Sequence, residues 1–285
     1  MPTSPSTTFT TPGPIGLGTW KMGVSAAQRR AEIAAVARAL SAGYRLIDTA
    51  EMYGDGAAEK IVGAALEAFG PSRRAEVVIV SKVLPENASR AGTVRACEAS
   101  LKRIGCDYLD LYLLHWRGRH PFAETIAGFM ELRERGLIRH WGVSNFDVDD
   151  LEEWKAAEAA ADAGVGAQCN QIYYCLAARG IDFDLLPWQR EHGMLAMAYS
   201  PLGMGELAGN PKLERIARER GATAAQIALA WCVRNRGVMA IPKSVNPARI
   251  DENLRAGEIR LTEAELAAID RAFPPPRSKR PLEMA

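Results

Sequence analysis

Short apolar runs alternate with longer amphipathic stretches along most of the chain. The short runs are rich in β-branched and aromatic residues, which is typical of buried strands. The longer stretches repeat apolar residues at intervals of three and four, which is typical of helices that pack by one face. The pattern predicts eight strands, over residues 15–20, 44–50, 77–83, 108–115, 138–145, 167–174, 194–201 and 238–245. It predicts helices over residues 25–43, 57–69, 91–104, 121–135, 147–163, 182–192, 223–235 and 262–272.

Three of these helices are predicted to begin with a capping box. Ser25, Thr223 and Thr262 each stand three residues before a Gln or a Glu. In that motif the hydroxyl accepts a hydrogen bond from the third residue's backbone, and the third residue's side chain returns one to the cap.

The alternation of strands and helices predicts an α/β fold with a parallel sheet. Eight such units favour closure into a single-domain (β/α)₈ TIM barrel over residues 15–272, with the last helix added at the rim. Residues 1–14 are interpreted as a flexible N-terminal segment, and residues 273–285 as a C-terminal tail whose basic cluster is solvated. An open doubly wound sheet is the alternative. It is disfavoured because Lys21 stands where the G-x-G-x-x-G fingerprint needs its third glycine.

Composition and charge narrow the function classes. The chain has 285 residues, 35 of them basic and 34 acidic, so its net charge of +1 predicts no nucleic-acid partner. Its five cysteines form no CxxC pair, which is typical of a reducing cytosol. No apolar run approaches the ~18 residues of a membrane span. The expectation is a cytoplasmic monomer with no membrane contact and no metal site.

Polar and aromatic residues stand at the ends of all eight predicted strands. Asp48 ends the second strand, Lys82 ends the third and His115 ends the fourth, while Tyr53 lies in the loop after Asp48. In a parallel barrel the chemistry lies at the carboxyl ends of the strands. The other strand ends carry Thr19, Trp20, Ser144, Asn145, Asn170, Gln171, Tyr199, Ser200, Lys243 and Ser244.

Four of these residues form a candidate proton-transfer site. Lys82 ends an apolar run, so its ammonium needs a buried partner, and Asp48 is one strand away. A nearby lysine cation would stabilise the phenolate of Tyr53 and lower its pKa from about 10. Tyr53 could then exchange a proton with a substrate, and His115 could hydrogen-bond a carbonyl oxygen. Alone, Asp48–Lys82 is better explained as a structural ion pair and His115 as a core histidine, but the four together favour catalysis.

A set of short motifs resembles the aldo-keto reductase family, in particular its shorter microbial members that reduce methylglyoxal, other small aldehydes or diketogluconates. The motifs appear in the family's order and read GLGTW, DTAEMYG, SKV, LLHW, GVSNF, NQIYY, YSPLG and IPKS. The resemblance implies a (β/α)₈ barrel without a Rossmann domain that binds NADP(H). It also implies a catalytic tetrad of Asp48, Tyr53, Lys82 and His115, in which Tyr53 is the general acid.

The resemblance further implies which residues contact the cofactor and the substrate. The cofactor contacts it implies are Gly18, Thr19, Trp20, Asp48, Ser144, Asn145, Gln171, Tyr199, Ser200, Leu202, Gly203, Lys243, Ser244, Arg249 and Asn253. Among them Tyr199 is expected to stack on the nicotinamide, and Lys243, Ser244 and Arg249 to meet the 2′-phosphate. The substrate pocket is predicted to contain Trp20, Tyr53, His115 and Trp116, with little loop cover, which favours compact carbonyl substrates over steroids. The sequence predicts no role for residues 204–206.

Two other functions remain open on the sequence alone. One is an aldolase-type barrel in which Lys82 forms a Schiff base, which would leave Tyr53 and a nicotinamide site without a use. The other is a non-catalytic NADPH-binding regulatory subunit, which would not need a complete tetrad.

Overall fold

Eight parallel strands form one sheet in the computed structural model, which describes residues 8–285. Each strand pairs with the next one in the sequence, so the order is β1 to β8 without a crossover. The strands are β1 Leu17–Gly18, β2 Leu46–Asp48, β3 Val78–Val83, β4 Leu109–Leu114, β5 Ile138–Ser144, β6 Cys169–Tyr173, β7 Leu195–Tyr199 and β8 Val238–Ala240.

The sheet closes on itself between its first and last strands. Ile15 forms a parallel bridge with Ala240, and the Gly16 backbone N–H donates to the Ala240 carbonyl at 2.9 Å. Gly18 donates in the same way to the Pro242 carbonyl at 3.2 Å. The predicted (β/α)₈ barrel is therefore confirmed, and its closure removes the exposed sheet edges.

Helices surround the barrel, and two of them were not predicted. The helices are α1 Arg29–Ala42, α2 Ala57–Phe69, α3 Arg90–Ile104, α4 Phe122–Glu134, α5 Val148–Ala160, α6 Leu185–Glu191, α7 Pro211–Glu219, α8 Ala224–Cys232, α9 Pro247–Arg255 and α10 Glu263–Ala272. The unpredicted helices, α7 and α9, each begin with proline after an asparagine whose side chain caps the first turn. Asn-Pro is a start signal that apolar periodicity does not detect.

Two of the three predicted capping boxes are present. Thr223 and Thr262 accept from the third residue's backbone, and Gln226 and Glu265 return the bond. The prediction at Ser25 is wrong, because α1 begins at Arg29 without a side-chain cap. There the Ser25 carbonyl accepts from the Gln28 N–H at 3.0 Å, so a turn precedes the helix.

Apolar side chains fill both sides of the barrel wall. The larger core lies between strands and helices and includes the fully buried Trp141 and Trp154. A second cluster fills the barrel interior and contains Leu46, Val80, Leu111, Leu113, Cys169, Met197, Met239 and Ile241. Because the interior is packed, a functional site must lie at an end of the barrel.

Part of the N-terminal segment packs on the barrel, in contrast to the flexible segment predicted. Phe9 contacts the interior cluster, and its N–H donates to Gln168 Oε1 at 3.1 Å. The Pro14 carbonyl accepts from the Ala240 N–H at 2.9 Å. Residues 1–7 of the predicted segment lie outside the described residues.

Candidate active site

A cavity of about 150 Å³ opens at the carboxyl ends of the strands. It brings together most of the residues that the sequence placed there. The predicted residues that line it are Gly18, Trp20, Asp48, Tyr53, His115, Trp116, Ser144, Asn145, Gln171, Tyr199, Ser200 and Lys243.

The Lys82 ammonium lies beneath the cavity and has three hydrogen-bond acceptors. It donates to Asp48 Oδ1 at 2.8 Å, to the Thr49 carbonyl at 2.9 Å and to Tyr53 Oη at 3.1 Å. Lys82 is fully buried, and the Asp48 side chain is 2% exposed. Three N–H donors thus meet three acceptors, which satisfies a buried ammonium group.

Strand geometry and a tight loop produce this cluster. Side chains two residues apart in a strand share a face, so Lys82 continues the inward-facing position of Val80 in β3. Val80 pairs with Asp48, the last residue of β2. Tyr53 follows on a loop whose next three residues, Gly54, Asp55 and Gly56, all have positive φ. That compact turn brings Tyr53 back over the ends of both strands.

Burial sets the electrostatics of the ion pair. It raises the pKa of Asp48 and lowers the pKa of Lys82, because a low-dielectric interior disfavours both charged forms. The mutual attraction of the two groups and their hydrogen bond oppose both shifts. Gln171 also donates to Asp48 Oδ1 at 2.7 Å, so this side chain supports the pair instead of pointing its amide N–H₂ into the cavity.

The pKa of Tyr53 is raised, whereas the sequence predicted that the Lys82 cation would lower it. Burial raises it well above 10, and the charge of Asp48 and the neighbouring Tyr199 raise it further. The expectation was wrong because burial disfavours the phenolate, and the charge of Asp48 adds to that effect. Tyr53 is therefore a phenol, not a phenolate, throughout the neutral range.

His115 is buried beside the Tyr53 and Trp116 rings. Burial, assisted by the Lys82 charge, lowers the pKa of its imidazole to about 2. The His115 ring packs edge-on against the Tyr53 ring, with 5.9 Å between centroids. It also packs at a tilt against the Trp116 ring, with 4.7 Å between centroids. Nδ1 is buried with no hydrogen-bond partner among residues 8–285. The imidazole is neutral near pH 7.

The opposite side of the cavity is held by a second hydrogen-bond network. Tyr199 Oη donates to Asn145 Oδ1 at 2.9 Å, and the Asn145 amide donates to the His115 carbonyl at 3.1 Å. Asn145 and Ser200 have φ values of +60° and +47° at the ends of β5 and β7. Such conformations are costly for residues with a Cβ and occur where a site requires them.

Six predicted cofactor residues do not line the cavity: Thr19, Leu202, Gly203, Ser244, Arg249 and Asn253. Thr19 is fully buried, and its hydroxyl donates to the Asp48 carbonyl at 2.9 Å, so it joins strand ends. Ser244 is also buried and accepts from the Asn246 N–H at the start of α9. Asn170, which the sequence placed at a strand end, lies within β6, and its amide donates to the Phe146 carbonyl at 2.9 Å.

Two cations lie near the start of α9: Lys243 lines the cavity, and Arg249 is in the first turn of the helix. Lys243 and Arg249 are exposed, and neither side chain has an acidic partner within ion-pair distance in the described part of the chain. Backbone N–H groups at a helix N-terminus add partial positive charge. This region is suited to a phosphate group.

The C-terminal tail covers one side of the cavity, which corrects the prediction of a solvated tail and an uncovered pocket. Met284 and Ala285 line the cavity, and the Ala285 N–H donates to Tyr199 Oη at 3.3 Å. Lys279 holds the tail in place through ion pairs of 3.3 Å to Asp147 and to Asp184. The ion-pair partners are distant in sequence, so composition could not indicate them.

Four lining residues were missed: Met52, Ile241, Met284 and Ala285. Met52 directly precedes Tyr53, and Ile241 directly follows β8, so their positions beside predicted residues were a usable signal. No pattern in the sequence pointed to the last two.

Neither a metal cluster nor a membrane span is found among residues 8–285. Within this range, no group of three or more His, Cys, Asp or Glu side chains is placed to hold a metal ion. None of the helices in the described part of the chain is both long and apolar enough to cross a bilayer.

The geometry disfavours a Schiff base on Lys82. Its Nζ is fully buried, does not line the cavity and is bound on three sides. A carbonyl carbon could reach it only if Tyr53 and Asp48 moved apart.

Known proteins resemble this chain along nearly its whole length. The sequence model of the Aldo/keto reductase family matches residues 14–273. The chain is 46% identical to methylglyoxal reductase YeaE of Escherichia coli, over 95% of this chain and 94% of that protein. A crystal structure of an aldo-keto reductase from Klebsiella pneumoniae in complex with NADPH superposes with a TM-score of 0.89 at 45% identity, covering 95% of each chain. A second structure from that organism, in complex with NADP and acetate, gives the same values. With the barrel, the placement of its polar strand ends and these likenesses in agreement, the chain belongs to the aldo/keto reductase family.

Proposed function

We propose that this protein reduces small aldehydes and α-oxo-aldehydes with NADPH, and that Tyr53 supplies the proton. Its class as an NADP-dependent oxidoreductase follows from its family. The observation that carries the finer proposal is the Lys82 ammonium, which donates to Tyr53 Oη while Asp48 and Thr49 bind its other two N–H groups.

This arrangement directs the proton of Tyr53. Because Tyr53 Oη accepts from Lys82, its own O–H is free to donate into the cavity, which the residue lines. When hydride adds to a carbonyl carbon, negative charge develops on the oxygen, and a positioned acid lowers that barrier. As the phenol donates its proton, the adjacent ammonium stabilises the phenolate that forms.

His115 acts as a neutral hydrogen-bond donor. A proton on Nδ1 would be a buried N–H without an acceptor, which costs about 1–3 kcal/mol. The tautomer with the proton on Nε2 leaves a lone pair, instead of an N–H, without a partner at Nδ1. Nε2–H can then orient the substrate oxygen beside Tyr53.

The residues present fit NADP(H), the cofactor expected from the sequence. The Klebsiella pneumoniae neighbours were crystallised with NADPH and with NADP, which confirms that expectation. Bound NADPH supplies the hydride. Tyr199 offers an aromatic face at the cavity, Ser144 and Asn145 offer polar atoms beside it, and Lys243 and Arg249 are unpaired cations for phosphate groups.

The pocket favours compact substrates. Its volume of about 150 Å³, which a substrate would share with the nicotinamide, is below the roughly 300–1,000 Å³ of sites for drug-sized ligands. Trp20, Trp116 and Met52 give it apolar walls, and the tail closes one side. Methylglyoxal, the substrate in the name of the E. coli relative, is of suitable size.

The test is NADPH oxidation with carbonyl compounds of increasing size. We expect methylglyoxal and nitrobenzaldehyde to be reduced with higher kcat/KM than a steroid ketone. NADPH binding should be followed in parallel by fluorescence. If NADPH binds but no carbonyl compound is reduced, the protein is a binding subunit and the proposal is wrong.

A further inference from the structure

Glu59 is a fully buried carboxylate that the proposed reaction does not use. It lies in the first turn of α2 and does not line the cavity. Ser81 Oγ of β3 donates to its Oε1 at 2.7 Å, and Arg103 Nε of α3 donates to its Oε2. One side chain thereby joins three elements of the barrel wall.

Two of these elements carry the proton-transfer groups. Ser81 directly precedes Lys82, and alternation along the strand turns Ser81 outward and Lys82 inward. Helix α2 continues the loop that carries Tyr53, because the Ala58 N–H donates to the Tyr53 carbonyl at 3.2 Å. Glu59 therefore holds the strand that carries Lys82 against the loop that carries Tyr53. These two segments supply the Nζ and Oη atoms of the 3.1 Å hydrogen bond between Lys82 and Tyr53.

Arg103 supports the same loop from below. A Cβ at Gly56 would lie 2.5 Å from Arg103 Cδ and 2.6 Å from Nε, so the loop backbone rests directly on this side chain. Gly56 also has a φ of +77°, which any other residue would adopt at a cost. Arg103 is held by Glu59 and by the Ser100 hydroxyl, to which its Nη2 donates at 3.0 Å.

We propose that Glu59 is a positioning residue for proton transfer at Tyr53: with Arg103 and Ser81 it holds the loop of Tyr53 on the strand of Lys82. The inference rests on the proposed role of Tyr53 as the proton donor.

The charge of Glu59 has a second effect, on Lys82. Burial lowers the pKa of Lys82. Asp48 opposes that shift most strongly, and Cys169 and the carboxylate of Glu59 on the other side of the wall oppose it to a smaller extent. Loss of this charge should lower the pKa of Lys82. Because the reaction needs the charged ammonium group, the alkaline pH at which kcat begins to fall should then be lower.

The test compares Glu59→Gln with Glu158→Gln. Glu158 is a matched control because it is also buried and accepts bonds, from Trp141 Nε1 at 2.8 Å and from the Ala167 N–H at 2.7 Å, on α5 away from the cavity. Both variants should lose thermal stability. Only Glu59→Gln should lose kcat, by about tenfold or more, since small misplacements of reacting groups cost up to about 10²-fold. Its dissociation constant for NADPH should not change, and the alkaline limb of its kcat profile should move to lower pH.

Two further variants separate distance from charge. Glu59→Asp keeps the charge but shortens the reach, so kcat should fall while the alkaline limb stays in place. Ser81→Ala removes only the bond to the strand and should lower kcat with NADPH affinity unchanged, which keeps the test available if Glu59→Gln does not fold.

The inference is wrong if Glu59→Gln loses no more kcat than Glu158→Gln, if its alkaline limb does not move, or if Ser81→Ala retains full kcat. An inactive wild-type protein would instead overturn the proposed function, so the two failures are distinguishable.

Discussion

Removal of one oxygen atom, in Tyr53→Phe, tests the proposed proton donor most directly. The ring of Tyr53 is buried against His115, and phenylalanine preserves that packing. The hydroxyl lost is the one that accepts from Lys82 at 3.1 Å. Lys82 keeps its bonds to Asp48 and Thr49, so the fold should remain intact.

The expected loss follows from the acids that remain. Loss of a general acid costs about 10²–10⁴-fold in rate, or about 3–5 kcal/mol of activation free energy. His115 is the rival acid that lines the cavity, and its pKa of about 2 leaves about one ring in 10⁵ charged at pH 7. Charging it would cost about 7 kcal/mol, at 1.36 kcal/mol for each pKa unit. Since this exceeds the cost of losing the acid, we expect that His115 does not take over as the donor.

The assay is steady-state NADPH oxidation with methylglyoxal, together with NADPH titration by fluorescence. We expect kcat to fall by about 10²-fold or more, with NADPH affinity unchanged. Tyr112→Phe is the matched control, because Tyr112 is fully buried and its hydroxyl has no hydrogen-bond partner among residues 8–285. That variant should keep normal kcat.

One result would refute the assignment. If Tyr53→Phe keeps near-normal kcat while His115→Gln abolishes it, the imidazole is the acid and its pKa must lie well above 2. A loss confined to NADPH affinity would also contradict the proposal, since it would make Tyr53 a binding residue.

Three further predictions concern the cofactor, the tail and stability. Arg249→Ala should narrow the preference for NADPH over NADH by about tenfold or more, since one charge-assisted hydrogen bond is worth about 1.5–3 kcal/mol. Arg255→Ala in the same helix is the control. Equal affinities of the wild-type protein for the two cofactors would contradict the premise. Deletion of residues 284–285 should raise kcat/KM for bulky aldehydes relative to methylglyoxal by about tenfold or more, and an unchanged ratio would show that the tail does not restrict the pocket. Hydrogen bonds from Arg220 lower the pKa of Glu265 to about 2, below an unfolded value of about 4.3, so this carboxylate stabilises the fold above that value and loses its effect as the pH falls through about 2. Glu265→Gln should therefore lower Tm at pH 7, and its difference from the wild type should vanish near pH 2; a constant difference would refute the linkage.

The sequence by itself determined the barrel and the residues at its active end. Periodicity near two or 3.6 residues arises from local backbone geometry, so it could be read along the chain at each of the eight units. Because a parallel barrel gathers its strand ends at one rim, the order of Asp48, Lys82 and His115 along the chain was enough to place them together.

Only the tertiary structure decided how these groups behave and what covers them. The pKa direction of Tyr53 depends on the balance of burial, Asp48 and Lys82, which strand order does not specify. The hydrogen bond from the Thr19 hydroxyl to the Asp48 carbonyl likewise depends on the packing of neighbouring strands. The contact of Ala285 with Tyr199 joins residues 86 positions apart and is held by an ion-paired lysine. Such long-range contacts are fixed by packing and charge complementarity between distant segments, and these leave no periodic pattern in the sequence.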